Sequence, residues 1–88
     1  MNKPVMRKIT VTTSYAAMSA TSEVCSFTLS AAPANVGTVT ILGDTADEVP
    51  LIAGEWHEFT NIDLADIQIK GTADDIVTVV GGSWGGAL

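Results

Sequence analysis

This chain is short of the residues that catalysis and metal binding draw on. It has one cysteine, Cys25, and one histidine, His57. A single cysteine excludes an intramolecular disulfide. A lone histidine, with no second ligand motif around it, argues against a zinc site. Basic residues are scarce as well, four against ten acidic ones, for a net charge of −6. Three of the four, Lys3, Arg7 and Lys8, fall in the first eight positions, which leaves Lys70 alone in an acidic body. A body of that sign repels nucleic acid. No apolar run approaches the roughly 20 residues of a membrane span. The opening MNKPVMRK carries no apolar stretch of signal-peptide length, so the expectation is cytoplasmic synthesis without export by a standard signal. There is no nucleotide loop, no Ser-His-Asp set, no suggestive carboxylate pair and no basic-aromatic strip. Together these absences point away from an enzyme and from a bound cofactor.

What is present is the grammar of strands and turns. Cys25, Phe27, Leu29 and Ala31 alternate with Ser26, Thr28 and Ser30, the period of a strand with one buried face. APANVG follows, with Pro33, Asn35 and Gly37 as turn chemistry, and then TVTILG reads as another strand. The same pattern predicts strands over residues 7–13, 24–32, 37–43, 49–52, 56–60, 64–70 and 76–80. Pro50 marks its strand as an edge or a bulge. Residues 14–23 read as an irregular connection that packs Tyr15 and Met18 on the core, and 61–63 as a corner. Asn35, Gly37 and Gly54 are expected at positive φ. Gly71, Asp74 and Asp75 are expected to form a hairpin before the last strand. Residues 1–6 read as an N-terminal arm and 81–88 as a glycine-rich tail. The predicted fold is all-β, a small antiparallel sandwich or barrel of about seven strands in a single domain spanning residues 1–88, with flexible termini.

At 88 residues and 47% apolar, a lone monomer has more apolar surface than it can bury well. Self-association is the expected remedy. The basic N-terminus reads two ways, as a grip on an acidic surface or as a solubilising tail.

Each candidate site has a plain alternative. Cys25, inside the alternating run, reads as a buried apolar filler. His57 sits between Trp56 and Glu58, but neighbours on a strand point oppositely, so Glu55 and Glu58 are expected to face away from it. The clusters Asp44, Asp47, Glu48 and Asp74, Asp75 lack the spacing of a calcium loop and read as solvated turns. Trp84, flanked by glycines in GGSWGGAL, either folds back on the domain or anchors in a neighbour. Trp56, Phe59 and Tyr15 read as core or sheet-surface aromatics.

The run SFTLSAAPANVGTVTILGD, then VPLIAGEW at residues 49–56, then IDLADIQIKGTADDIVTVV at residues 62–80, resembles a pattern of small virion structural proteins of tailed phages. The resemblance covers residues 25–82 and excludes both ends. It rests on turn formers and core residues, so it carries no catalytic signature. It implies a capsid decoration or cement protein that binds the assembled head, with the major capsid protein as partner. That places the chain on the capsid surface after synthesis in the bacterial host cytoplasm. Trimers suit the three-fold positions of such a shell. In that setting Lys3, Arg7, Lys8 and Trp84 are the expected contacts, and Val77 and Val79 a buried oligomer face. The alternative is a receptor- or glycan-binding β-domain of a head fibre, tail fibre or spike, with Trp56 and His57 on its binding surface. Neither role requires a cofactor, a metal or a membrane.

Overall fold

The alternation at Cys25 is realised in β3 (Val24–Ala31), where each odd residue is buried and Ser26, Thr28 and Ser30 lie on the wetter face. In the computed structural model, which describes residues 2–84, the other strands are β1 (Asn2–Thr10), β2 (Ala16–Ala17), β4 (Val39–Leu42), β5 (Val49–Leu51), β6 (Trp56–Asp63), β7 (Gln68–Lys70) and β8 (Ile76–Trp84). They form two four-stranded sheets. Sheet I has the order β1-β8-β3-β6, and sheet II the order β2-β7-β4-β5. Every neighbouring pair is antiparallel. The fold is an all-β sandwich, as the period-two patterning predicts.

The core is contributed by both sheets. Leu29, Val77 and Val79 from sheet I, Val39 and Leu51 from sheet II, and Leu64 from a single 3-10 turn (Leu64–Asp66) are all 0% exposed. Each such side chain contributes about 1.5–3 kcal/mol relative to an exposed one. Cys25 is buried among them, as the apolar-filler reading has it. Val77 and Val79 are therefore not an oligomer face. The residues of β8 that look outward are Thr78 and Val80.

Several local expectations change. Residues 2–6 and 81–84 are not an arm and a tail. They pair with each other as the two ends of the β1–β8 ladder, from Asn2↔Trp84 to Val5↔Gly81 and Met6↔Val80. Pro4 is tolerated there because β1 is an edge strand. Residue 1 and residues 85–88 lie outside the described residues, as does the side chain of Trp84. Pro50 lies in β5, the edge of sheet II. Met18 is buried, but Tyr15 packs on the surface, and a short strand, β2, interrupts the irregular connection.

The turns work differently from the expectation. Gly54 has φ +85°, but neither Asn35 nor Gly37 is at positive φ, whereas Asn61 (52°) and Asp74 (73°) are. A Cβ at Gly37 would lie 2.2 Å from Thr72 Oγ1, so a larger residue there would make the Thr72 hydroxyl swing aside. Asp75, buried at 6% exposure, accepts from Val36 N (3.0 Å) and Gly37 N (2.9 Å) and so clamps that turn. Gly71 and the two aspartates do not form a hairpin. They carry the chain from β7 in sheet II to β8 in sheet I. Residues 61–63 continue β6, with a bulge where the register shifts between Cys25 and Phe27.

Candidate functional site

β6 is the free edge of sheet I. Its alternation sends Trp56, Glu58 and Thr60 to the outer face, while His57 and Phe59 turn toward the space between the sheets. Phe59 stacks on Phe27, ring centroids 5.1 Å apart, which fixes this stretch to the core. The bulge then lets Asn61 N donate to Ser26 Oγ at 3.1 Å.

Beside β6 the sandwich stays open. A groove of about 510 Å³ lies between β6 and the β4–β5 loop. Its apolar side is formed by Ile41, Val49, Phe59 and Ile67, and Asp44, Asp47 and Glu58 stand along it. A second hollow continues past Ile62 to Asp66. The groove thus has an apolar floor and a rim of one charge.

His57 lines this groove with its side chain 43% exposed. Glu55 does not face away from it, because Glu55 precedes the strand and belongs to the turn. Glu55 Oε1 accepts from Ile52 N (2.9 Å), which brings Oε2 to 4.0 Å from His57 Nε2. Glu58 is on the outer face, as alternation requires. Trp56 is 57% exposed on that same outer face. Trp56 and His57 therefore do not share a binding surface.

The outer face of sheet I can be read from the register. One row runs Lys8, Thr78, Ser30, Trp56, and the next runs Met6, Val80, Thr28, Glu58. Ser30 Oγ and Thr78 Oγ1 are 2.7 Å apart across the middle. Met6 is 73% exposed and Val80 49%. Lys3 and Lys8 are exposed on β1, at the edge opposite β6. Arg7 is not free for a partner, because its guanidinium donates to Glu23.

Asp47 and Glu48 of the acidic loop have separate structural partners. Asp47 is held by Thr45, whose hydroxyl donates to it at 3.0 Å. Glu48 accepts from the Tyr15 hydroxyl and lies 3.2 Å from Lys70 Nζ, which itself stands 4.7 Å over the Tyr15 ring. The Tyr15 hydrogen bond first, then Lys70, holds the Glu48 carboxyl below its usual range. Partial desolvation, followed by the bond to Glu48, pushes Tyr15 up to about 12. Sequence offers no sign of this trio, whose members are far apart in the chain. Asp63 accepts from the Ser22 hydroxyl, from Glu23 N (2.8 Å) and from Ala65 N (2.9 Å), and these bonds keep it low. Burial, then the nearby Glu23 carboxylate, pushes the Cys25 thiol up, away from nucleophilic use.

Among the described residues no three His, Cys, Asp or Glu side chains are grouped to hold a metal ion. Among them, too, no helix is long and apolar enough to cross a membrane. No family model, curated protein or solved structure matches the chain. The surface offers an open groove and the outer face of sheet I, both suited to contact with a macromolecule.

Proposed function

We propose that this chain is a non-enzymatic structural protein of a tailed-phage virion, a decoration or cement protein that binds the assembled head. The observation that carries the reading is the outer face of sheet I. It is a four-stranded face with a Ser/Thr centre and the exposed apolar side chains Met6, Val80 and Trp56. Such a face suits adhesion to another protein surface, with Lys8 at one margin and Glu58 at the other to set orientation. The strand-and-turn pattern of residues 25–82 supports the same reading through its resemblance to small phage virion proteins. The partner is the major capsid protein. Binding that spans neighbouring capsid subunits favours the assembled shell by mass action.

The test adds purified protein to purified shells that lack it and images them by cryo-electron microscopy. Density at fixed lattice positions, weakened by Val80→Lys, is the expected result. Bare shells at saturating protein overturn the proposal.

A second reading follows from Trp56 alone. Trp56, 57% exposed on the outer face of sheet I, offers its indole as a stacking platform for a sugar ring, as a fibre or spike domain would need. Binding on a glycan array that is lost in Trp56→Ala, together with bare shells, favours that reading.

A further inference from the structure

Sheet I has two free edges of opposite character. β1 carries Lys3 and Lys8, both exposed, and among the described residues is paired on one side alone. β6 carries Glu58, and the groove beside it is bordered by Asp44, Asp47 and Asp66. Because every neighbour in β1-β8-β3-β6 is antiparallel, the two edge strands run in opposite directions. A second copy displaced by translation, or by rotation about an axis parallel to the strands, keeps the direction of its β1. That β1 therefore arrives antiparallel to the first copy's β6, the sense in which a strand ladder continues through the join.

Charge selects this join over its rivals. Two β1 edges face to face set lysines against lysines, and two β6 edges set Glu58 and the acidic rims against each other. Only β1 against β6 matches basic with acidic. Apolar surface points the same way. Met6 on β1 and Trp56 on β6, 73% and 57% exposed, lie on the same outer face at opposite edges, so a head-to-tail join brings the two edges' apolar side chains together. Pro4 has no N–H to give a ladder, which leaves Met6 to Thr10 as the pairing segment.

We infer that β6 and the groove beside it receive the β1 edge of a second copy of this chain, so that copies associate head to tail through sheet I. Such an interface is heterologous, and rotation closes it into a ring. The join concerns self-association and stands whether or not the shell is the larger partner.

The test needs no shells. Native mass spectrometry and analytical ultracentrifugation are run on the full chain over a wide concentration range, with Lys8→Glu, Glu58→Lys and their equimolar mixture. Both positions are exposed, and circular dichroism checks that each variant is folded. The wild type is expected to assemble, and each single reversal to raise the half-assembly concentration by about tenfold or more. The mixture is expected to return toward wild type, because each variant's altered edge then meets a complementary one. A monomeric wild type at every concentration overturns the inference. So do variants that assemble like wild type, or a mixture no better than its parts.

Discussion

Asn35 pairs with Ile76 as a strand residue would, but with its side chain. Its Nδ2 donates to Ile76 O at 2.8 Å, and Ile76 N donates to its Oδ1 at 2.8 Å. One amide thus satisfies both backbone groups at the start of β8 and ties them to the turn after β3. Asn35→Ala takes the acceptor from Ile76 N in a half-buried position, while Ile76 O keeps its bond from Ala32 N at 3.0 Å, and is expected to cost about 1–2 kcal/mol. Asn35→Asp keeps the acceptor and loses the donor. Its urea midpoint is expected to fall between those of the wild type and the alanine variant.

Gly81 lies opposite Phe27 in the β3–β8 ladder. A Cβ there would stand 2.0 Å from Ser26 O and 2.5 Å from Phe27 Cα. Both are backbone atoms, so no side chain can swing aside. Gly81→Ala is expected to destabilise by about 2–3 kcal/mol. Gly43, where an added Cβ meets nothing within 4 Å, is the control. Gly43→Ala is expected to change stability by less than about 0.5 kcal/mol. Equal denaturation midpoints for the two variants would contradict the close approach of β8 to β3.

Tyr15 is the sole tyrosine, so its ionisation can be followed by ultraviolet absorbance. Its folded pKa, about 12, lies above the unfolded value of about 10. For an acid shifted upward, the stability contribution is full below the unfolded pKa and disappears as pH rises through the folded one. Tyrosinate is therefore expected only near pH 12 in the native protein. Glu48→Gln removes the charge beside the hydroxyl and is expected to bring the transition down toward 10. A wild-type transition at the ordinary value would contradict the bond.

Asp63 is shifted the other way, first by Ser22 and then by the amides of Glu23 and Ala65. Glu48 is lowered by Tyr15 and then Lys70. For carboxyls so depressed, stability is present above their unfolded values, about 3.9 and 4.3, and is lost as pH falls through the folded ones. The denaturation midpoint is expected to hold from neutral pH to about 4.5 and to drop below that. In Asp63→Asn the neutral-pH midpoint is lower and the acid slope shallower. A variant whose slope matches wild type would show that Asp63 is not one of the groups responsible.

Much of the fold was legible in the sequence because a half-buried strand must alternate. Cys25 to Ala31 could expose its serines and threonines only by burying Cys25, Phe27, Leu29 and Ala31, and the structure has that pattern. The same period puts Trp56 and His57 on opposite faces of β6, so the shared binding surface expected for the two does not form. The candidate groove was not legible, because Ile41, Val49, Phe59 and Ile67 come from four separate segments. The Tyr15–Glu48–Lys70 trio was hidden for the same reason.

The sequence by itself determined the alternating strands of the chain's middle, such as Cys25 to Ala31, and that basic charge gathers at the N-terminus, but not β2 or the outer ends of β1 and β8. The tertiary structure decided which strands pair. The chain passes between the two sheets at almost every turn, and among the described residues β4–β5 is the sole paired couple adjacent in sequence. Local periodicity reports only whether one side of a strand is buried. It is silent on the neighbour that supplies the hydrogen bonds, since any extended backbone offers the same N–H and C=O groups. That choice turned the two chain ends into a paired ladder, moved Val77 and Val79 into the core, and set Lys8 and Glu58 on opposite edges of one sheet.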